Sequence, residues 1–418
     1  MKPFRSFAFS LALLSSACSD PSGPPPKITA LPRELTSGEQ QIIAADNRFA
    51  IKLLKQLSAD TSADTRDTRE NLFVSPLSVA MALGMTYNGA AGTTEEAMRT
   101  TLELEGMSVA EVNEGYRSLI ALLRGLDPHV RFQIANSIWY RLGLTVEQPF
   151  IDVNRAYFGA RVEALDFNAP TAAPTINGWV NQQTHGLIPE IVPDPVPSDL
   201  VMFLINAIYF KGDWTQQFDP NLTMPRPFRL PDGSTVNVPT MTHGQEANVR
   251  LASRPNATIV DLPYGGEAFS MTIVLPSDTT DVDDLVTVLT AEQWDDWTGS
   301  LNPGTSEVFL PKFKLTNDLR LNGTLGGLGM GIAFDPARAD FTRMHTPSEL
   351  FISAVKHKTY VNVNEEGTEA AAVTSVEMGL TSVGPPVIRI DRPFLFALRE
   401  NLSGTILFMG VIRHPTIE

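Results

Sequence analysis

The sequence from residue 361 to 386 reads VNVNEEGTEAAAVTSVEMGLTSVGPP, and it is the most informative stretch of the chain. Its alanines and glutamates favour a helix between Glu366 and Met378, and its small polar residues favour a mobile loop. The spacing of its side chains allows a third conformation. Because successive side chains of a strand point to opposite faces, a segment with two distinct alternating sets of residues can pair into a sheet.

Two such sets run through this segment. One face is small or apolar and carries no charge; it comprises Thr368, Ala370, Ala372, Thr374, Val376 and Met378. The other face carries Glu369 and Glu377 at its two ends. No proline interrupts residues 367–384, so each residue there can donate a backbone hydrogen bond to a sheet. The pattern predicts an exposed loop that can later become a central strand.

The rest of the chain predicts one mixed domain around this segment. Apolar residues at helical spacing begin near residues 44–57, and helical patterns continue to about residue 126. Residues 201–210 are almost continuously apolar, as expected for a strand covered on both faces. Residues 258–275 predict two strands around a turn at Gly265 and Gly266, and residues 406–412 predict a buried terminal strand. Neither an internal repeat nor a Pro/Gly-rich break divides residues 41–418. We therefore predict a single α+β domain over residues 41–418.

The N-terminus has the pattern of an export signal. Lys2 and Arg5 precede an apolar run at residues 7–14, and small residues then lead to Cys18, the only cysteine. We predict a signal peptide over residues 1–17. The residues before Cys18 resemble a bacterial lipobox, which predicts that Cys18 carries a lipid; ordinary cleavage nearby is the alternative. The proline-rich residues 18–40 are then a tether, and the protein is a cell-envelope lipoprotein or extracellular.

Composition and motifs exclude several other functions. A formal net charge of -15 argues against nucleic acid as a partner and against membrane binding by anything except a lipid anchor. The six histidines have no metal-ligand spacing, and no nucleotide-binding or hydrolase motif is present, so we expect no metal and no cofactor. The glycine-rich residues 326–331 predict a permissive turn. Because a Ser/His/Asp triad assembled in space leaves no spacing signal, a serine hydrolase remains an alternative.

Several blocks together resemble one family. The run Glu365, Glu366, Gly367, Thr368, Glu369, Ala370, Ala371, Ala372 is similar to the proximal hinge of inhibitory serpins. The block IRIDRPFLFAL at residues 388–398 resembles the signature that follows the serpin reactive loop. Further matches are NLFVSPLS at 71–78, NAIYFKGDW at 206–214, LPKFKL at 310–315 and FMG at 408–410. These blocks run in order through nearly all of residues 41–418, so the chain is identified as a member of the serpins.

The resemblance implies a fold and a mechanism. The fold is α+β, with helices packed on large mixed β-sheets and an exposed reactive-centre loop. The implied function is inhibition of a serine protease, without catalytic residues, by a monomeric and metastable protein. The target cuts the loop and forms an acyl-enzyme, and the hinge side of the loop then inserts as an added strand and traps the protease. The chain is therefore expected to be a protease inhibitor and not an enzyme.

The resemblance also assigns roles to other residues. It implies that a polar shutter beneath the sheet comprises Ser75, Ser78, Asn206 and His357. It implies that the breach, where the hinge first enters, contains Lys211, Gly212 and Trp214. Thr368 is the first side chain of the inserting face, and we expect it to stay solvated until the loop is cut.

The scissile bond has three candidate positions. Family spacing counted from Gly367 places the cut between Thr381 and Ser382, which would suit elastase-like or subtilisin-like proteases. Spacing counted back from residues 385–386 places it after Ser382. Cutting at Leu380 is the remaining alternative and would suit chymotrypsin-like or cathepsin-like proteases. We favour the bond between Thr381 and Ser382.

A non-inhibitory serpin, acting as a chaperone or binding protein, is the main alternative function. Such a protein would keep the fold and lose the ability to insert its loop. The hinge discriminates between the two, because bulky, charged or proline residues on the inserting face would block entry. Here the first four residues on that face are Thr368, Ala370, Ala372 and Thr374, which favours the inhibitor.

Overall fold

The computed structural model describes residues 25–60, 71–347, 349–368 and 387–416. The helices in this part of the chain are α1 (Ser37–Ala59), α2 (Pro76–Tyr87), α3 (Gly92–Thr101), α4 (Val109–Leu123), α5 (Gln148–Phe158), α6 (Ala172–Gln183), α7 (Val282–Val288), α8 (Ala291–Gly299) and α9 (Asn322–Leu325). Of these helices, α1 to α4 precede residue 126, as the sequence predicts, whereas α5 to α9 lie in the region predicted to be mainly strand.

Strands dominate the second half of the chain. The early strands are β1 (Asn71–Val74), β2 (Val130–Arg141), β3 (Arg161–Leu165), β4 (Met202–Asp213), β5 (Met224–Arg229), β6 (Thr235–Thr242), β7 (Ala247–Arg254) and β8 (Ala257–Tyr264). The later strands are β9 (Phe269–Pro276), β10 (Asn302–Pro311), β11 (Phe313–Arg320), β12 (Lys356–Val363), β13 (Gly367–Thr368), β14 (Val387–Arg389), β15 (Phe394–Glu400) and β16 (Ile406–Ile412).

These strands form two sheets. The larger sheet has the order β1-β16-β15-β9-β8-β7-β10-β6-β5, and β14 pairs in parallel with β10. The smaller sheet has six strands in the order β11-β12-β13-β4-β2-β3. Helix α2 contacts both β4 of the smaller sheet and β16 of the larger sheet, so it lies in the core between them. This architecture confirms the predicted α+β fold with large mixed sheets.

Helix α1 begins earlier than the predicted domain boundary at residue 41. Thr36 caps it, because the Thr36 hydroxyl accepts a hydrogen bond from the Glu39 amide (3.2 Å) and the Glu39 carboxylate accepts one from the Thr36 amide (2.7 Å). Upstream, the Ile28 amide donates to the Gly266 carbonyl (2.7 Å). Residues 37–40, which the sequence analysis assigned to the tether, therefore belong to α1, and Ile28 is bonded to the domain; composition alone does not reveal these contacts.

Strand β4 also differs from its prediction. Its odd-numbered side chains Ile205 and Tyr209 are buried, but the alternating residues Leu204, Asn206 and Ile208 are only half-buried. The strand is therefore not fully covered on both faces, because a cleft opens beside these residues. Strand β16 is buried at every residue, and strands β8 and β9 flank Gly265 and Gly266, as predicted.

The glycine-rich segment at residues 326–331 forms irregular helical turns after α9. Gly329 has φ +114°, a conformation that favours glycine, so the expected permissive backbone is present within helical structure.

Candidate functional site

The chain turns back on itself immediately after β12. Residues 364–366 form the turn, and Gly367 and Thr368 then pair antiparallel to both neighbours as β13. Thr368 is opposite Val363 of β12 on one side and opposite Gly212 of β4 on the other. The predicted hinge therefore begins a new strand within the smaller sheet, in the position between β12 and β4.

Below β13, a cleft lies between β4 and β12. Its volume is about 500 Å³, and both Asn206 of β4 and His357 of β12 line it. The loop at residues 191–201 and the loop that contains Phe351 close its other sides. In the described part of the chain β13 comprises Gly367 and Thr368, and the cleft lies in line with them between β4 and β12.

Trp214, predicted at the breach, contacts the hinge directly. Its amide donates to the Glu366 carbonyl (2.8 Å), and its indole Nε1 donates to the Asn364 carbonyl (2.9 Å). The Phe218 amide donates to the Glu365 carbonyl (2.9 Å). Three backbone carbonyls of the turn are thus satisfied by the segment after β4, which fixes the direction in which the hinge enters the sheet.

Close packing requires glycine at two positions, residue 367 of the hinge and residue 212 of β4. A Cβ on Gly367 would lie 2.1 Å from the Gly212 carbonyl oxygen. A Cβ on Gly212 would lie 2.9 Å from the ring of Tyr264. These distances are below van der Waals contact, so a side chain at residue 367 would displace the hinge from β4, and a side chain at residue 212 would displace the ring of Tyr264. Lys211, the third predicted breach residue, is on β4 opposite Arg131.

Thr368 is already buried, with 3% of its surface exposed. Its hydroxyl is 2.7 Å from the hydroxyl of Tyr264, whose ring stacks on Trp214 with centroids 4.4 Å apart. Burial raises the pKa of Tyr264, so the phenol is neutral. The expectation that Thr368 is solvated before cleavage is wrong, because β13 has already carried this side chain into the sheet.

The side chain of Glu365 holds the turn that precedes β13. Its carboxylate accepts hydrogen bonds from Lys312 Nζ (2.8 and 3.1 Å) and from the Thr223 hydroxyl (2.7 Å). Burial by itself would raise the pKa of Glu365, but the bonds from Lys312 and Thr223 outweigh it and lower the pKa. The carboxylate is therefore ionised at neutral pH and holds the turn against β11's N-terminal flank.

The four predicted shutter residues lie together beneath the sheet. The Ser75 amide donates to His357 Nε2 (3.0 Å), and the Ser75 hydroxyl donates to the Leu407 carbonyl (2.7 Å). The Ser78 hydroxyl is 3.5 Å from the Asn206 carbonyl, and the Asn206 side-chain amide donates to Asn136 Oδ1 (2.7 Å). These bonds join α2, β2, β4 and β12 at the level of the cleft.

The shutter histidine is neutral. His357 is buried, and burial lowers its pKa to about 4. Because Nε2 accepts the Ser75 hydrogen bond, that nitrogen carries no proton. Protonation would remove this acceptor and place a charge in the core.

Sequence reasoning missed four residues that complete the site. Tyr264 and Lys312 contact the hinge side chains, Thr223 binds Glu365, and Asn136 binds Asn206. Lys312 was within a recognised block, but that block did not indicate its partner. Tyr264 precedes a predicted turn, and only the folded chain brings it within reach of Thr368.

The remaining predicted site residues lie outside the described residues. They are Cys18, Glu369, Ala370, Ala371, Ala372, Leu380, Thr381 and Ser382. In the described part of the chain, no group of three or more His, Cys, Asp or Glu side chains could hold a metal ion. No helix in that same part is long and apolar enough to cross a membrane.

The fold and the site define a protein in which a cleft lies between two strands of one sheet, with Gly367 and Thr368 paired to both strands at one end of it. Comparison with known proteins identifies the group. The family model "Serpin (serine protease inhibitor)" matches residues 44–415, so the chain belongs to the serpin family.

Individual relatives agree with this assignment. The chain is similar to Serpin B10 of Otolemur garnettii, with 34% identity covering 88% of this chain and 98% of that protein. It is also similar to the leukocyte elastase inhibitor of Homo sapiens, with 33% identity covering 90% of this chain and all of that protein. The native structure of tengpin, a thermophilic serpin, matches with a TM-score of 0.80 and 28% identity over 93% of this chain and 96% of tengpin.

A structure of thyroxine-binding globulin in complex with thyroxine matches with a TM-score of 0.79 and 27% identity, covering 90% of this chain and 99% of that one. The fold is therefore shared by a relative named as an elastase inhibitor and by one named for binding thyroxine. Membership of the serpin family establishes the fold, but it does not distinguish protease inhibition from ligand binding.

Proposed function

We propose that this chain inhibits a serine protease by offering its loop as a substrate and then inserting the cut loop into the smaller sheet. One observation carries the proposal: Gly367 and Thr368 already occupy the strand position between β12 and β4. The cleft beneath them provides room for the same strand to continue. Each added residue would gain hydrogen bonds to both neighbouring strands, which supplies the driving force.

The register of β13 indicates where later residues would lie. Six residues beyond Thr368 is Thr374; six residues before Gly212 on β4 is Asn206, and six before Val363 on β12 is His357. A strand continued in this register would place the Thr374 hydroxyl between two shutter residues on the same face of the sheet. Asn206 Oδ1 is buried and has no hydrogen-bond partner in the described part of the chain, so it could accept one from this hydroxyl.

The alternative is a serpin that binds a ligand and does not inhibit, as the thyroxine-binding relative suggests. The inserting face argues against it here, because Ala370, Ala372 and Thr374 bury little volume and no charge. The hinge also needs glycine at residue 367, and glycine is present. Both features favour insertion over a loop that stays outside.

The bond that we propose for cleavage is Thr381–Ser382, with Leu380 and the bond after Ser382 as alternatives. A threonine before the cut suits proteases with small or medium specificity pockets, such as elastase-like and subtilisin-like enzymes. Cleavage there would leave residues 369–381 free to insert, a length of about 43 Å at roughly 3.3 Å per residue. This span would move an attached protease by about the diameter of a domain.

A gel experiment tests the proposal. The protein is mixed with elastase, subtilisin, chymotrypsin and trypsin, and the products are separated in denaturing detergent. A covalent complex with at least one protease, together with mass spectrometry of the released C-terminal peptide, would support the proposal and identify the cut bond. If every protease leaves either intact protein or free cleaved protein, the chain inhibits none of these four proteases. That result would favour the alternative, a serpin that binds a ligand and does not inhibit.

We also propose that the protein is a bacterial envelope lipoprotein attached through Cys18. The apolar run before Cys18 and the proline-rich residues after it support this. Changing Cys18 to Ser should move the folded, still inhibitory protein from the membrane fraction to the soluble fraction. If the variant stays with the membrane, the lipid assignment is wrong.

A further inference from the structure

A cationic surface lies on the larger sheet near the end of the loop. The guanidinium of Arg226 on β5 is 4.4 Å from the ring centroid of Phe309 on β10, and the guanidinium of Arg389 on β14 is 5.1 Å from the same centroid. Neither arginine forms an ion pair with any residue that the structure describes. Two cations without a carboxylate partner are unexpected in a chain whose net charge is -15.

Exposed apolar side chains lie beside these arginines. Met224 precedes Arg226 by two residues on β5 and is 46% exposed, and Val387 precedes Arg389 by two residues on β14 and is 39% exposed. Residues two apart on a strand share a face, so the four side chains and Phe309 belong to one side of the sheet. We call this set of five residues the arginine face. Few large apolar side chains elsewhere in the described residues are as exposed as these two.

The position of the arginine face relates it to the loop. Val387 is six residues after Thr381, so the proposed scissile bond is at most about 20 Å along the chain from β14. A serine protease of ordinary size is roughly 40 Å across. A protease that holds this bond in its active site must therefore extend over neighbouring surfaces of the inhibitor, and the arginine face is the one that continues directly from the loop.

We infer that the arginine face is an accessory docking surface for the target protease. Its partner would be an acidic surface patch with an apolar centre, near the rim of the protease's active-site cleft. Charge pairs at the rim of an interface act mainly by accelerating association, and their effect decreases with salt. The inference rests on the proposed inhibitory function and adds a second contact that selects among proteases with similar active sites.

The test compares a double charge reversal, Arg226→Glu with Arg389→Glu, with the control Arg161→Glu. Arg161 is on β3 at the far edge of the smaller sheet, and its guanidinium likewise lies over an aromatic ring, 4.7 Å from that of Trp139. The probe is the protease that forms the detergent-stable complex, used in active form and with its catalytic serine changed to alanine. The active form gives the association rate and the stoichiometry, and the inactive form gives the Kd of docking alone.

The double variant should associate about tenfold more slowly at 50 mM salt, with the difference falling to about twofold at 500 mM, and its Kd should rise in parallel. Its stoichiometry and the Arg161→Glu control should match the parent. An equal loss in the control, or no loss in the double variant, would overturn the inference while leaving inhibition intact. If Glu377→Gln slows association by the same factor, the arginines would act on this chain's own loop and not on the protease, which would also overturn the inference. If the parent traps no protease, the proposed function itself fails.

Discussion

At the residue scale, the ion pair between Glu365 and Lys312 holds the turn that leads into β13. Changing Glu365 to Lys would place two ammonium groups where one carboxylate now accepts three hydrogen bonds. We expect this variant to lower the free energy of unfolding by on the order of 1–2 kcal/mol, since the pair is only partly exposed. It should also shorten the half-life of inhibitory activity at 37 °C. Urea denaturation and timed inhibition assays measure both effects.

The charge-swapped double variant, Glu365→Lys with Lys312→Glu, is the control. It restores an opposite-charge pair at the same place, so it should recover part of the lost stability. A double variant that is no more stable than the single variant would show that the pair itself does not hold the turn.

Asp46 on α1 is a buried carboxylic acid that lowers the stability of the folded protein once its side chain must ionise. Its Oδ1 accepts a hydrogen bond from the Tyr116 hydroxyl (2.8 Å), while Oδ2 has no hydrogen-bond partner in the described part of the chain. Burial raises the pKa of Asp46 to about 7. The folded state therefore keeps a proton that the unfolded chain releases near pH 4, and stability is lost as pH rises from about 4 to about 7. Asp46→Asn should stabilise the protein by on the order of 2–4 kcal/mol at pH 8 and have little effect at pH 4. Denaturation midpoints at the two pH values measure this difference, and equal shifts at both would contradict it.

His357 has the reverse pH dependence. Burial lowers its pKa to about 4, below the value near 6.5 of an unfolded histidine. The unfolded chain therefore binds the proton first, and stability is lost as pH falls from about 6.5 to about 4. Since the neutral ring also accepts the Ser75 amide hydrogen bond, acid should loosen the shutter. Because Asp46 acts in the opposite direction over this range, the measurement is made with Asp46→Asn as the parent: its melting temperature should drop between pH 7 and pH 5, and adding His357→Asn should make the drop smaller. His243, whose pKa burial also lowers to about 4, should account for part of what remains.

At the scale of single elements, the proposed insertion would depend on one face of the strand that the residues after Thr368 would form. Arginine at Thr374 would bring a charge between Asn206 and His357 when the strand enters, and an unpaired buried charge costs several kcal/mol. We expect Thr374→Arg to be cleaved by the protease without trapping it, because insertion becomes slower than hydrolysis of the acyl-enzyme. The measurement is the number of inhibitor molecules consumed per protease inactivated, which should rise severalfold or more.

Ser375→Arg is the matched control, because residue 375 lies on the opposite face of an extended strand. Its stoichiometry should stay close to that of the parent. Similar losses in both variants would show that the register of β13 does not continue into the inserted strand. Arginine at Thr368 is a poorer test, since Thr368 is already buried against Tyr264 and the intact protein would be destabilised as well.

The same elements show how far sequence predicts this site. Alternation and apolar runs are local properties, so they predicted β8, β9 and β16. Family blocks supplied the residues named shutter and breach, which the fold brings together beside the cleft and the hinge. The partial burial of β4 could not be predicted, because it depends on how far β12 lies from it. The contacts of Thr368 with Tyr264 and of Glu365 with Lys312 join residues 104 and 53 positions apart, and no local pattern records such pairs. Helix α1 begins earlier than predicted because Thr36 and Glu39 form a capping box, which composition alone does not reveal.

At the scale of the whole molecule, the proposed insertion implies that the intact protein is not in its most stable form. Residues 369–381 would gain hydrogen bonds to β4 and β12 and bury apolar surface if they entered the cleft, but the intact chain restrains them at both ends. Cleavage at Thr381–Ser382 removes one restraint. We therefore expect the cleaved protein to melt at a temperature more than 20 °C above that of the intact protein, as measured by differential scanning calorimetry after digestion with a protease that it does not trap. Cleaved Thr374→Arg should gain much less, because the same arginine that blocks trapping also blocks the strand. Equal melting temperatures for the intact and cleaved parent would mean that the cleft does not accept the loop, and the chain would then belong with the serpins that bind without inhibiting.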